Sequence, residues 1–333
     1  MGVGRASVGV PLAGRDYPSG WSELHAWFPD NEACLAYLER LRWAEGFVCP
    51  ACGAIGEPWR QSRGRLTCRS CRHQTSVTAG TLFEKTRTPM TTWFAAAWYV
   101  TNQKSGANAL GLQRVVGVGS YQTAWTMLHK LRRAMARSER EPLEGVVEVD
   151  EIFVGGREQG VDGRRALTKS LVAVAVEVHQ PRGFGRVRFK VVDDASAASL
   201  VPFVRDTVAA TATVRTDGWR GYLPLARLGY RHERVPLMRT GEEAHSVMPA
   251  VHRVASLLKR WLLGTHQGAV RSGHLPAYLD EFAFRFNRRH ARSRGLLFYR
   301  LLERALLTPA WPYTEIAETQ RPAYNGNSEE LSG

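Results

Sequence analysis

The 333-residue chain has no apolar run of the ~18 residues that a membrane-spanning helix requires. Its first twenty residues, MGVGRASVGVPLAGRDYPSG, lack the continuous apolar centre of a secretory signal. Both absences point to a soluble protein of the cytoplasm. Cysteine is scarce, with five residues, four of them in two close pairs. That spacing suits a metal site in a reducing compartment better than a disulfide framework. Acidic side chains are outnumbered, 31 against 45 lysines and arginines, for a net charge of +14. A surplus of that size favours a polyanionic partner, nucleic acid before others. No internal repeat is apparent. Hydrophobic residues make up 44%, ample for real cores, and the length allows two or three domains.

Residues 1–20 are rich in Gly, Pro and Ser and are expected to be disordered. A second region, 21–88, combines a helix over Asp30–Trp43, capped by Asp30 or Asn31, with the cysteine pairs Cys49-Pro-Ala-Cys52 and Cys68-Arg-Ser-Cys71. Two such knuckles 15 residues apart fit a closed, tetrahedral, structural zinc site of four cysteines, with short strands over Trp59–Thr67 and His73–Val77. Cys34 falls on the apolar side of the helix and reads as core. Arg60, Arg63, Arg65, Arg69 and Arg72 surround the knuckles and suit DNA contact. In 89–140, Thr91–Val100 is an apolar helix. Ala107–Val116, a Gly-Val-Gly turn and Tyr121–Met135 follow in the order of a helix-turn-helix. An ordinary pair of packed helices has the same pattern. The basic end, Lys130, Arg132, Arg133 and Arg137, favours DNA.

From Glu144 the texture becomes α/β, and 144–308 reads as one domain, with 309–333 a loose tail. Val146–Val154, Leu171–His179 and Val187–Val192 are strands. Ser196–Ala209 is a helix, Ala212–Thr216 a strand, Trp219–Leu228 a helix and Tyr230–Val235 a strand. A loop over Pro236–Pro249 precedes helices over Val251–Leu263, His274–Arg289 and Leu296–Leu307. Three antiparallel-type strands, a helix–strand alternation and C-terminal helices are the order of a ribonuclease H-like core.

Within VVEVDEIFVGG, Asp150 lies mid-strand between Glu148 and Glu151. Burying it requires a partner or a cation; a solvated acidic edge strand reads equally well in isolation. Asp217 ends a strand beside Gly218, at the mouth where α/β sheets bind ligands, although Asp-Gly is also a common turn. On the helix of Val251–Leu263, the residues His252, Ser256, Lys259 and Leu263 share a face by their spacing.

VEVDEIFVGG, TDGWRGY, HRVASLLKRWLLGTH and LDEFAFRFNRR together resemble the zinc-ribbon DDE-type insertion-sequence transposases of the fifteen-ninety-five group, over about residues 20–308. The resemblance implies a ribonuclease H-like fold behind a zinc ribbon, with two catalytic Mg2+ ions. It also implies cleavage and joining at the terminal repeats of the element itself. Asp150 matches the first catalytic aspartate and Asp217 the second. After 34 intervening residues His252 takes the third position, where most relatives carry Glu or Asn. Lys259 matches a basic residue near the DNA. A neutral imidazole implies weaker Mg2+ binding and better tolerance of Mn2+.

Phosphodiester cleavage and transfer need an activated oxygen nucleophile and a stabilised 3′-oxygen, which two divalent ions provide. Asp150 would bridge the ions, with Asp217 and His252 each holding one side, and Lys259 would hold a phosphate or the terminal base. Lys130, Arg132, Arg133, Arg260, Arg288 and Arg289 are the further candidate DNA contacts. Expected partners are double-stranded DNA, as terminal repeats and target, and a second copy of the chain. Asp193-Asp194 reads as a helix cap and Asp280-Glu281 as ion pairing. Glu242-Glu243 is a reserve for the third ligand. Rival readings are a DNA-binding regulator with an inactive core, and a nuclease that cuts without joining.

Overall fold

In the computed structural model the described residues are 10–136, 141–155, 169–179, 183–235, 248–267 and 270–318. They form two units, one of residues up to 137 together with 284–310, the other of 138–283 with the segment from 311 onward.

The first unit begins with α1 (Trp21–Trp27) and α2 (Asn31–Arg42). Asp30 caps α2 by accepting from Ala33 N at 2.8 Å, and Cys34 is fully buried on its inner side. Residues 10–20 were expected to be disordered, but Ala13 and Tyr17 form a β-bridge and Tyr37 donates its hydroxyl to the Asp16 carbonyl. The ribbon strands are β1 (Trp59–Arg60), β2 (Arg65–Thr67) and β3 (Gln74–Ser76), an antiparallel sheet in that order. A 3-10 turn at Ser62–Gly64 splits the expected segment Trp59–Thr67 into a hairpin.

Next come α3 (Met90–Asn102), α4 (Ala109–Val116) and α5 (Tyr121–Met135). Asn108 caps α4 through Gly111 N, and Ser120 caps α5 through Thr123 N. Gly117, at φ +69°, ends α4 in the left-handed conformation that glycine adopts without penalty. Helix, short glycine turn and helix thus stand where the sequence pattern put them.

The second unit holds a five-stranded sheet of β4 (Val146–Val154), β5 (Ser170–Val178), β6 (Phe184–Val192), β7 (Thr213–Thr216) and β8 (Arg231–Arg234), in the order β6-β5-β4-β7-β8. β4, β5 and β6 are antiparallel neighbours, whereas β7 and β8 run parallel to β4. Helix α6 (Ala197–Thr207) makes the crossover from β6 to β7, and its Leu200, Phe203 and Val204 pack with Val147, Val149 and Val214 in one core. This mixed sheet behind a four-cysteine ribbon is the ribonuclease H-like arrangement that the element order predicts.

The expected helix over Trp219–Leu228 is instead a 3-10 turn at Arg220–Tyr222 followed by the short α7 (Pro224–Arg227). Pro224 has no N–H to continue a helix from the preceding turn. Helix α8 (Pro249–His266) packs on β4 and β5, and α9 (Leu275–Phe286) follows it. The loop carrying Glu242-Glu243 lies outside the described residues, as do Arg137, residues 1–9 and the tail from 319.

Helix α10 (Gly295–Leu307) returns to the first unit, where Leu297, Phe298, Leu301 and Leu302 are fully buried among residues of α2, α3 and α5. Sequence order had grouped this helix with the catalytic strands. Its apolar side instead completes the helical core: Phe298 lies edge-on to Phe94 and Trp98, at 5.6 and 5.4 Å between ring centroids. The tail is not uniformly loose, because α11 (Tyr313–Glu318) buries Ile316. No described helix is long and apolar enough to cross a membrane.

Candidate metal centre and catalytic site

The two cysteine knuckles are built alike. Gly53 N bonds to the Cys49 carbonyl at 2.9 Å, and Arg72 N to the Cys68 carbonyl at 3.1 Å. The closing residue of each knuckle is left-handed, Gly53 at φ +72° and Arg72 at φ +63°. Arg72 bears that strain, and its guanidinium lies over the Trp59 ring at 4.9 Å. The four Sγ atoms lie within 4.8 Å of one another, with Cys49–Cys71 at 3.6 Å and Cys52–Cys68 at 3.8 Å. Zn–S bonds of ~2.3 Å in a tetrahedron set sulfurs ~3.8 Å apart, so the donor set suits zinc. The backbone amide of Cys71, with that of Ser70, brings the Cys68 thiol down to about 6, which favours the thiolate that a metal needs. Cys34 is different: burial pushes its thiol up to about 12, as befits a core residue.

In the second unit, side chains alternate across β4. Val147 and Val149 enter the core under α6, so Glu148 and Asp150 face the side on which α8 packs. Asp150 is half-buried, and its Oδ1 accepts from Glu151 N at 2.9 Å. The parallel ladder pairs Val146 with Thr213 and Glu148 with Arg215. Two residues further along both chains stand Asp150 and Asp217, so Asp217 leaves the end of β7 level with Asp150. Its Oδ1 accepts from Trp219 N at 2.9 Å, and Gly218, at φ +85°, makes the turn that follows. Trp219 Nε1 donates to the Ala195 carbonyl at 2.7 Å. The chain runs so close to Ala195 here that a Cβ on Gly221 would come within 2.5 Å of that oxygen.

Tyr222 reports on the convergence of these groups. Its hydroxyl is fully buried and donates to Glu151 Oε2 at 3.0 Å. Burial, then the charges of Glu151, Asp150 and Asp217, raise its pKa well above the ordinary phenol value. Both aspartates therefore act on one phenol.

The third candidate, His252, lies in the first turn of α8, half-buried, with its Nε2 shielded from solvent. That turn is fixed by a residue the sequence reading passed over. Glu148, with no exposed surface, accepts from Ala250 N at 2.8 Å and from Val251 N at 3.0 Å through one oxygen. Its other oxygen lies 3.8 Å from Arg215. Burial raises the Glu148 pKa, opposed by the two amides and by Arg215. The available signal was its alternation with Asp150, two residues further along the same strand.

The basic candidates divide. Lys259 and Arg260 are exposed on α8, alongside Ser256 and Leu263, and Arg133 is half-buried. Lys130 is half-buried too, and desolvation lowers its pKa. Arg132 is not a surface residue: it is 2% exposed and donates to the Ala107 carbonyl at 2.8 Å, so it braces α5 and does not reach for a phosphate. Arg288 and Arg289 turn back on their own helix end, bonding the Phe284 and Phe286 carbonyls and covering those rings at 4.3 and 4.1 Å. Arg60 is paired with Glu39 at 2.6 Å. Asp194 acts as a local cap, accepting from Ser196 N and from the Ser199 hydroxyl.

Residues 142–287 match the model of the ISXO2-like transposase domain, and residues 29–74 that of the transposase zinc-ribbon domain. An uncharacterized protein in transposable element ISH50 of Halobacterium salinarum is 28% identical over 276 residues, covering 78% of this chain and 91% of the relative. With both domains in the order of that family, on a ribonuclease H-like sheet, the chain belongs to the zinc-ribbon transposases of the IS1595 group.

Proposed function

We propose that the protein cleaves the ends of its own insertion sequence and joins the freed 3′-hydroxyls to target DNA, with Asp150, Asp217 and His252 as ligands for divalent cations. The observation that carries this is the strand register, which pairs Glu148 with Arg215 and so brings Asp150 and Asp217, each two residues further on, to the same end of the sheet, with the first turn of α8 held on β4. Two half-buried carboxylates and one imidazole form a mainly oxygen donor set that suits Mg2+ or Mn2+. Two such ions, when bound, supply an activated oxygen nucleophile and stabilise the departing 3′-oxygen. Asp150 would serve both ions, and Asp217 and His252 one each. Lys259 and Arg260, exposed further along α8, hold DNA phosphate. No side-chain nucleophile is required.

In this reading the ribbon and the α4–α5 pair, within 21–88 and 89–140, bind the terminal repeats, and the sheet within 144–308 does the chemistry. The +14 charge supports the DNA partner. Acting on two ends calls for at least two copies on DNA, and the work belongs in the bacterial cytoplasm, at the nucleoid. His252 in place of a carboxylate supports one second reading, a binding protein without catalysis. Purified protein incubated with DNA from the flanks of its own gene, in Mg2+, Mn2+ or EDTA, separates the two. Metal-dependent nicking at one position followed by joined product is expected. Nicking without joining means a nuclease, and specific binding without nicking means the regulator.

A further inference from the structure

We propose that Glu148 is the positioning residue of the active site, the group that sets the helix carrying His252 against the strand carrying Asp150. The proposal rests on the reading of the site given above. One buried carboxylate touches all three elements that carry the candidate ligands, each within two residues of a ligand. It sits on β4 two residues before Asp150 and on the same face. It accepts the amides of Ala250 and Val251, the residues immediately before His252. It faces Arg215, two residues before Asp217, across the ladder at 3.8 Å. Arg215 is shared with Glu233 on β8 at the shorter distance of 3.1 Å, so the firmer tie is to α8.

The charge has a second consequence. A helix N-terminus carries roughly half a positive charge, spread over its unbonded amides. A divalent cation held by His252, in the first turn of α8, would meet that charge. The Glu148 carboxylate caps two of those amides and offsets their field. A neutral group of the same shape holds the helix but leaves the field in place. Outer residues that orient ligands in this way typically contribute about 10–100-fold to metal affinity.

Glu148→Gln keeps the shape and an acceptor oxygen and removes the charge; Glu148→Ala removes both. The measurements are Mn2+ binding by calorimetry on the zinc-loaded full chain, amide exchange at Ala250 and Val251 without added Mn2+, thermal melting and end cleavage. For Glu148→Gln we expect native melting, protected amides and a Mn2+ midpoint raised about tenfold. For Glu148→Ala we expect faster exchange at the two amides and a larger rise. A purely packing role would lower the melting temperature and leave the midpoint in place. A wild-type midpoint in folded Glu148→Gln overturns the proposal, and that variant decides if Glu148→Ala fails to fold. Asp150→Ala serves as the control. If it still binds Mn2+ and cleaves, the assignment of the site is wrong, and the fault lies there and not with Glu148.

Discussion

Asp217 leaves the end of β7 level with Asp150 on the neighbouring parallel strand β4, in the register that pairs Glu148 with Arg215. Parallel neighbours lie ~4.8 Å apart, close enough for two carboxylates to serve one pair of cations. Replacing either aspartate by Ala should abolish end cleavage while end binding and melting stay near wild type. Gel assays of nicking beside mobility shifts check this. Full cleavage by either variant would remove that residue from the site.

At the third position the substitution series is informative in both directions. His252→Ala should reduce cleavage by more than the about 10–100-fold that loss of an outer residue orienting a ligand costs. His252→Glu should retain or improve activity in Mg2+ relative to Mn2+, because it restores a hard oxygen donor. Cleavage rates measured across both metals test the pair, and a normal rate for His252→Ala would point to another ligand.

The ribbon should depend on zinc. Cys49→Ser or Cys68→Ser, or a strong chelator, should release one zinc per chain and unfold the hairpin of β1 to β3. DNA binding should weaken while the catalytic sheet still melts as a unit. Zinc content per chain, read with a colorimetric chelator at neutral pH, checks this, and a wild-type zinc content in either serine variant would remove that cysteine from the ligand set.

A buried glutamate paired with the half-buried Arg186 makes the sheet sensitive to acid. Glu177 is desolvated, which raises its pKa, but the Arg186 guanidinium and the amides of Arg186 and Glu144 outweigh that and bring it below its ordinary value. The stability this contributes is fully present above the unfolded glutamate pKa and is lost as pH falls through the folded one. Glu177→Gln should cost about 2 kcal/mol at pH 7 and less at pH 3. Urea melts at the two pH values check both the size and its decline.

Phe298 should be among the most costly truncations in the helical unit. It is fully buried, and Phe94 and Trp98 lie edge-on to it. Phe298→Ala should destabilise that unit by about 3–5 kcal/mol. Urea melts followed by tryptophan fluorescence measure it, and a loss under about 1 kcal/mol would mean that the site closes over the cavity.

The features legible in the sequence are those set by local spacing. β4 runs Val146–Val154, α5 runs Tyr121–Met135, and both knuckles close as their cysteine pairs imply. The features that were not legible are set by distant contacts. Nothing near Arg132 says that the Ala107 carbonyl will take its guanidinium, and nothing near Glu148 says that a helix start 102 residues later will need it. Pro224 was a visible local signal against one continuous helix at Trp219–Leu228. The destination of α10 was hidden because an amphipathic helix declares that it will be buried, but not where.

That destination governs when each unit can be completed. The chain enters the catalytic unit at 138, comes back at 284 and leaves again at 311. Phe298, Leu301 and Leu302 close the core begun by α2 and α3, so the half of the protein made first is completed almost last. Domains commonly fold in the order in which they leave the ribosome. Here the ribbon-bearing unit stays open until about residue 306 has emerged, and the sheet unit takes its own last segment from 311 onward. A chain cut short before residue 295 would therefore leave the core of α2, α3 and α5 without the helix that closes it.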